Sequence, residues 1–543
     1  MSIDPSELGL TRRSFLIKGS LFIASAAGLS CTPQTSRKHT ANGSVLGANW
    51  AAGHELLKDR HPVPRRTEQT GIVIVGSGIA GLSAARELSK QGFSDFILLE
   101  LDANIGGNAA SGKNAVSPYP WGAHYIPLPG EDAVFVRELF EELGIITRYD
   151  PRGLPVYNEY YLCADPQERL LIHGQWQEGL VPQFGVNTRD RRQIREFQQA
   201  MQGFKQARGD DGKRAFCIPL DLSSSDARFR KYDAISMSRY LSDQGWDSEY
   251  LRWYVNYCCR DDYGCRMDDV SAWAGIHYFA SRNGIAANAD PHAVLTWPEG
   301  LGWIAARMAK KVERHVRTNA CVVNIEQNSG GVIVDYLDAK LATSTRIQAK
   351  KVIYAAPRFT AARTIKGPGD VAASAARFTY APWMIANLTM KGRPEGRGAE
   401  LAWDNVSYTS QALGYVVANH QNLSLHRDKT ALTYYFPLTA EAPSVERARA
   451  LNRTYQEWAG IVLRDLDNMH PGIADKIEEL NVWVWGHAMA RPVPGFMWGP
   501  DRLASLKPIS NIYFAHSDMS GISIFEEAQY RGIMAARLAL QQS

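Results

Sequence analysis

Residues 71–107 constrain what this chain can fold into more than any other stretch. Ile72, Val73, Ile74 and Val75 form an apolar run long enough for a strand buried on both faces. Gly76, Gly78 and Gly81 follow in a G-x-G-x-x-G pattern, and residues 79–91 continue with Leu82, Ala85 and Leu88 at helical spacing. A second apolar run, 96–99, ends on Glu100, and Gly106 and Gly107 lie just beyond. Three glycines at this spacing carry little weight alone in a chain with 45 glycines among 543 residues. A strand before them, a helix after them and an acid at the end of the next strand make them a dinucleotide-binding βαβ unit. Gly76 permits the tight turn, Gly78 lets backbone amides approach a pyrophosphate, and Gly81 lets helix and strand pack closely. The helix start at Ile79 and Ala80 offers free N–H groups and a partial positive charge to the phosphates. Glu100, with Leu101 after it, is placed to accept hydrogen bonds from ribose hydroxyls.

Length and charge set outer bounds. At 543 residues the chain exceeds what one core supports, so two domains are expected. With 60 basic and 56 acidic residues the net charge is +4, too mild for a nucleic-acid partner. Cys258, Cys259 and Cys265 lack a usual zinc spacing, and buried thiols are expected there.

Thr11-Arg12-Arg13-Ser14-Phe15-Leu16-Ile17-Lys18 has the pattern of a twin-arginine export signal. Residues 21–29 supply an apolar stretch too short to span a membrane as an ordinary helix. Residues 1–31 are therefore expected to be a twin-arginine signal peptide, taken by the twin-arginine translocase to a bacterial or archaeal periplasm in folded form. A bound dinucleotide must then be loaded before export. Two processing routes stay open: an A-x-A site at Ala24-Ser25-Ala26, or lipid anchoring at Cys31, which would be the only membrane link. Residues 32–66 read as a linker or extended arm, with Trp50, Leu56 and Leu57 available to dock on the body.

The nucleotide unit occupies residues 67–150, with a short strand expected over 121–126 and a helix over 133–143. Residues 151–290 form a first insertion, with helices expected over 231–246, 248–257 and 271–281. Strands return over 316–325, 331–336 and 350–357, within a second nucleotide-fold segment at 291–370. A second insertion, 371–480, carries strand patterns at 384–390, 413–418 and 430–436 and one long helix at 444–466. Residues 481–543 close with strand, turn and helix. The fold class expected is α/β: a Rossmann-like dinucleotide-binding domain assembled from three chain segments, plus an α+β substrate domain formed by two insertions.

Four stretches together resemble the flavin-containing amine oxidase family, which includes monoamine and polyamine oxidases. They are Gly76 through Gly107, Trp121 through Ile126, Val316 through Pro357, and Phe514-Ala515-His516-Ser517-Asp518 through Ala528. The resemblance implies FAD, bound non-covalently, since no Cys stands where some members attach flavin. It implies that the backbone at Val322 or Val323 holds the adenine and that Asp518 bonds a ribityl or pyrophosphate oxygen. It also implies that the last helix, starting near Ile524 and Phe525, faces flavin O2. The chain departs from the family pattern at Asn104 and Asn108, where Arg is usual beside the Gly pair, and at His516, where Gly is usual. Asn108 remains a candidate cofactor contact. In place of a family Lys near flavin N5 stand Arg363 and Lys366.

The implied reaction passes a hydride from a C–H next to nitrogen to flavin N5. The cofactor performs that step, while the protein orients and desolvates the small-molecule amine. Candidate cage residues are Trp483, Trp485, Trp498 and Tyr434, with His487 and His124 as polar contacts; Trp483 and Trp485 share one face of a strand. Two other readings stand beside this one: a flavoprotein desaturase or oxidase of a non-amine, and a catalytically weak FAD-binding component of a periplasmic assembly. Reoxidation by oxygen or by an electron carrier is open.

Overall fold

Four consecutive apolar residues at 72–75 are explained by a strand covered on both faces. The computed structural model describes residues 41–541 apart from 59, 339, 341–342, 368–370 and 423–427, so the expected signal at 1–31 lies outside the described residues. The strand runs Arg66–Val75 inside a mostly parallel sheet. Phe96–Leu99 pairs with it in parallel on one side and Thr343–Tyr354 on the other. Val316–Arg317 extends the sheet beyond Phe96–Leu99, and Ile512–Phe514 pairs with the far end of Thr343–Tyr354. The first half of Thr343–Tyr354 instead joins an antiparallel meander with Gly331–Asp338 and Ala320–Asn328. Helices Ile79–Lys90 and Phe525–Gln541 cross over the sheet in mutual contact. Three separated segments thus build one Rossmann-like unit.

The insertions build a second, mixed sheet. Among the described residues it has eight strands, ordered Val45–Gly47, Ile477–Ala490, Tyr380–Lys391, Lys429–Pro437, Tyr415–Val417, Asp404–Ser407, Glu168–Ile172, Gln175–Glu178. One face packs Leu432, Val482 and Val484 against Trp458 and Leu463 of helix Tyr455–Met469. The other turns Trp383, Tyr435, Trp483 and Trp485 toward the core that holds helices Glu249–Tyr263 and Ala272–Ala280.

Several boundaries differ from expectation for local reasons. The long helix over 444–466 is two helices, Pro443–Asn452 and Tyr455–Met469. Thr454 starts the second with a capping box, its hydroxyl accepting from the Glu457 amide at 3.3 Å while the Glu457 carboxylate accepts from the Thr454 amide at 2.7 Å. The helix over 231–246 is likewise split: a 3₁₀ turn at Lys231–Ala234 precedes Met237–Asp243, which Ser236 caps. The strand over 121–126 is confined to Tyr125–Pro127, and Trp121 to His124 bend instead along the site. Ile477–Ala490 stays in the second sheet ten residues past the expected boundary at 480.

The arm is more than a tether from residue 41 onward. Val45–Gly47 lies parallel to Val482, Trp483 and Val484 as an added edge strand. The Asn49 amide donates to Asp102 Oδ1 at 2.7 Å, and Leu56 packs on Cys321, Val323 and Leu337. Trp50 and Leu57 stay more than half exposed, so only Leu56 of the three expected contacts docks fully.

Candidate active site

Two connected cavities lie between the sheets. The outer one, about 700 Å³, runs along the C-terminal ends of the parallel strands, where a doubly wound sheet places its ligand. Its narrow end is the glycine turn. Gly76 takes φ +96°, a conformation that side chains rarely adopt. A Cβ on Gly81 would sit 1.8 Å from the Gly76 carbonyl oxygen, so helix and strand require glycine there. Gly78 differs: a Cβ there would meet no atom nearer than 3.9 Å. Packing does not demand this glycine, and the space it leaves belongs to the cavity. No side chain caps the helix start at Gly78, and Ile79 and Ala80 line the same wall. Uncapped amides, a missing side chain and an open concavity fit a pyrophosphate.

Glu100 closes this end. Its carboxylate accepts from the Ser77 amide at 2.8 Å, the Ser77 hydroxyl at 2.6 Å and the Asp102 amide at 2.9 Å. Burial raises its pKa, against those three bonds. Leu101, Gly106, Gly107, Asn108 and Val322 line the cavity as well. Val323 does not; strand alternation puts it on the face of Cys321, packed with Leu337 and Leu56, opposite Val322.

The inner cavity, about 140 Å³, meets the outer one at a seam formed by Asn108, Ala123, Leu301, Trp485, Ser523, Ile524 and Phe525. Trp485 is fixed there by its indole N–H, which donates to the Trp121 carbonyl at 2.6 Å, and Asn108 Nδ2 donates to the Ala488 carbonyl at 2.5 Å. Deeper in, the His124 ring stacks on Tyr435 with centroids 4.3 Å apart. Burial pulls the His124 pKa down to about 3, against a backbone bond to Gly122, so the ring is neutral at physiological pH. Asp261, Asp262, Arg282 and Glu526 also reach this cavity. Arg282 is paired with Asp262 at 2.5 Å, and the Tyr125 phenol donates to Asp261 Oδ2 at 2.9 Å. Burial, with Asp262 adjacent, pushes Asp261 up to about 6 against the Tyr125 bond, and burial pushes Glu526 up to about 7.

With this geometry in view, the family profile of flavin containing amine oxidoreductases matches residues 79–540. The chain belongs to that family. AofH of Mycobacterium tuberculosis, which carries the name of a flavin-containing monoamine oxidase, is 29% identical over 274 residues, 48% of this chain and 53% of its own length. The chain thus spans about half the length of that relative. A Dictyostelium discoideum protein named for monoamine oxidase A is 21% identical over 405 residues, 72% of this chain and 80% of its own. The fold matches putrescine oxidase bound to putrescine with TM-score 0.64 at 16% identity, covering 88% of this chain and 100% of that one. It matches cyclohexylamine oxidase from Brevibacterium oxydans with TM-score 0.62 at 16% identity, covering 87% and 99%.

In this amine oxidoreductase fold the expected site residues separate into three groups. Gly76, Gly78, Ile79, Ala80, Glu100, Leu101, Gly106, Gly107, Asn108, Val322, Ile524 and Phe525 line the dinucleotide cavity, as do Arg363, Trp485 and His487. His487 stacks on Phe359 at 4.2 Å; burial, with Arg447 and His54 nearby, pulls its pKa down to about 4. It faces the outer cavity, not the inner one where the expected amine contact lies. A second group stands off the cavities. Gly81 shapes the turn from behind. Lys366 is exposed, its ammonium on the Arg363 carbonyl at 3.2 Å, so it does not occupy the position that the resemblance implies. Asp518 is fully buried behind the wall: the Arg358 amide at 2.8 Å and the Tyr380 phenol at 2.5 Å both donate to Oδ2, while Oδ1, 2.9 Å from His516 Nδ1, accepts no hydrogen bond among the described residues. It positions the turn and does not reach the cofactor cavity. Among the expected cage residues, Trp485 lines both cavities, whereas Trp483, Trp498 and Tyr434 line neither.

The third group was missed: Tyr125, Asp261, Asp262, Arg282, Trp383, Tyr435 and Glu526. Two of them had a visible signal. Asp261 and Asp262 are adjacent acids that follow the apolar pair Cys258 and Cys259 in a helix, one of them buried and the other half-buried, and acids so placed need a reason.

Proposed function

We propose that this chain is an exported FAD-dependent oxidoreductase that oxidises a small amine. The observation that carries the reading is the inner cavity. It opens onto the cofactor cavity at Trp485 and Phe525, is ringed by Trp383, Tyr435 and neutral His124, and has carboxylates at its far end. When bound, FAD supplies the hydride acceptor at N5. Gly78, Ile79 and Ala80 hold the pyrophosphate, Glu100 the ribose, and the backbone at Val322 the adenine, without a covalent link. The start of helix Phe525–Gln541 stabilises negative charge at the flavin carbonyl edge. Trp485 and Tyr435 exclude water and orient the amine, and the apolar rings favour its neutral form. Oxygen or a periplasmic electron carrier takes the electrons. Thr11 to Lys18 support export by the twin-arginine route, with the cofactor loaded beforehand.

The test is anaerobic. Purified holoprotein is mixed with small monoamines, diamines and amino acids while the visible flavin band is followed. Bleaching by a small amine supports the reading. A flavin that stays oxidised with every amine, yet is bleached by a non-amine, sinks it in favour of a desaturase. Hydrogen peroxide release on readmitting air separates oxygen from a carrier.

A further inference from the structure

An amine at neutral pH arrives as an ammonium, and its proton must go before hydride can leave. The inner cavity contains candidates for that work. From helix Glu249–Tyr263 come Asp261 and Asp262; from strand Tyr125–Pro127 comes the Tyr125 phenol; from the last helix comes Glu526; Asp404 and Glu168 stand close behind, burial pushing both carboxyls toward their neutral forms. Arg282 is the one cationic side chain lining this cavity among the described residues, and Asp262 occupies it. Asp261 and Glu526 are therefore carboxyls that no ion pair among the described residues occupies. Glu526 is 5% exposed and forms no hydrogen bond to another residue among those described. A buried carboxyl that faces a cavity and is bonded only by its own amide has capacity left for a ligand.

Size narrows the ligand. The cavity is about 140 Å³, close to the roughly 150 Å³ of an engineered apolar cavity that takes benzene. A compact amine fits within it, and a long chain does not.

We propose that Asp261 is the cation anchor of the inner cavity: its carboxylate, held by Tyr125, takes the ammonium of a compact amine and accepts its proton. This rests on the amine reading above. Tyr125 donates to Oδ2, which leaves Oδ1 for the substrate. In the step, one N–H bond of the ammonium breaks and an O–H bond forms on Oδ1. The N–H electron pair stays on nitrogen as the lone pair, and nothing is oxidised or reduced. Neutral His124, stacked on Tyr435, adds no competing charge. A carboxyl brought toward neutrality by burial is matched to this transfer.

The experiment uses holoprotein and two probes of one shape. tert-Butylammonium has no C–H beside nitrogen and cannot be oxidised; tert-butanol is its neutral counterpart. Binding is read from the shift in the visible flavin spectrum. Asp261→Asn is expected to weaken tert-butylammonium about ten- to a hundredfold while leaving tert-butanol unchanged, and Asp261→Glu to recover most of the loss. Equal ammonium affinity in wild type and Asp261→Asn overturns the inference. If Asp261→Asn does not retain flavin, Tyr125→Phe decides. Loss of the phenol bond should move the acidic limb of amine-driven flavin reduction upward by about half a pH unit or more, and an unmoved limb overturns the inference. A wild type that oxidises small amines while Asp261→Asn binds the probe normally defeats this inference alone. A wild type that neither binds the probe nor is bleached by any amine defeats the amine reading and this inference together.

Discussion

Tyr434 and Tyr435 are neighbours in the chain and bond in opposite directions. Tyr434 Oη donates to Asp465 Oδ2 at 2.7 Å, and Tyr435 Oη donates to the Gly122 carbonyl at 3.0 Å on the cavity side. Strand alternation sends one to the helical layer and the other to the inner cavity. Tyr434→Phe is expected to lower stability by about 1 kcal/mol with KM for the best amine unchanged. Tyr435→Phe should do the reverse, raising KM several-fold with little change in stability. Denaturant titration and steady-state kinetics on both variants check this.

The glycine turn makes a similar paired test. A methyl at Gly81 meets the Gly76 carbonyl at 1.8 Å, whereas a methyl at Gly78 meets only the cavity. Gly81→Ala should destabilise the fold by about 3 kcal/mol or more. Gly78→Ala should leave the melting temperature of flavin-free protein in place and weaken flavin binding at least tenfold. Calorimetry on apoprotein and fluorescence titration with FAD separate the two.

Burial raises Glu526 from 4.5 to about 7. An acid that holds its proton more tightly when folded stabilises the fold fully below its unfolded pKa and loses that contribution as pH rises through the folded value. Asp261 acts with the same sign up to about pH 6. Stability of the wild type should therefore fall from about pH 4.5 to pH 7. In Glu526→Gln that fall should shrink, leaving the variant more stable at pH 8 by about 3 kcal/mol. Melting curves at matched flavin from pH 5 to 8 give the comparison. Identical slopes in the two proteins would show that the carboxyl is ionised at no cost.

A methyl on Gly43 would stand 1.7 Å from the Leu480 carbonyl oxygen. Gly43→Ala should lift the arm from its edge of the second sheet, uncovering the wall that Asn49 and Gly53 contribute to the outer cavity. The expected result is faster flavin release, by about tenfold, with the far-UV spectrum unchanged. Flavin fluorescence after dilution measures it.

The dinucleotide end was legible because its requirements are local. Turn glycines, an apolar strand and an acid at the next strand end lie within one short stretch, and every residue expected on the cavity wall there lies on it except Gly81 and Val323. Val322 and Val323 face opposite sides of one strand, and spacing does not report which of them looks into the cavity. The inner cavity was hidden for another reason. Lys429–Pro437 is buried on both faces, so its pattern does not say whether Tyr434 or Tyr435 faces the inner cavity. Asp261 and Tyr125 meet from elements far apart in the chain, and no local pattern encodes such a meeting. Asp518 was legible only as a motif: Tyr380 and the Arg358 amide, unseen in sequence, both bond its Oδ2 and leave Oδ1 without a hydrogen bond among the described residues.

The parallel pairing of Ile512–Phe514 with Thr343–Tyr354 has a consequence for synthesis on the ribosome. The glycine turn emerges more than four hundred residues before the strand and helix that complete its wall. A nascent chain stopped short of Ile512 lacks the seam residues Ser523, Ile524 and Phe525, however well its first βαβ unit has folded. Flavin binding by this protein is thus expected to wait until Ile512–Phe514 and Phe525–Gln541 have emerged and joined the first βαβ unit.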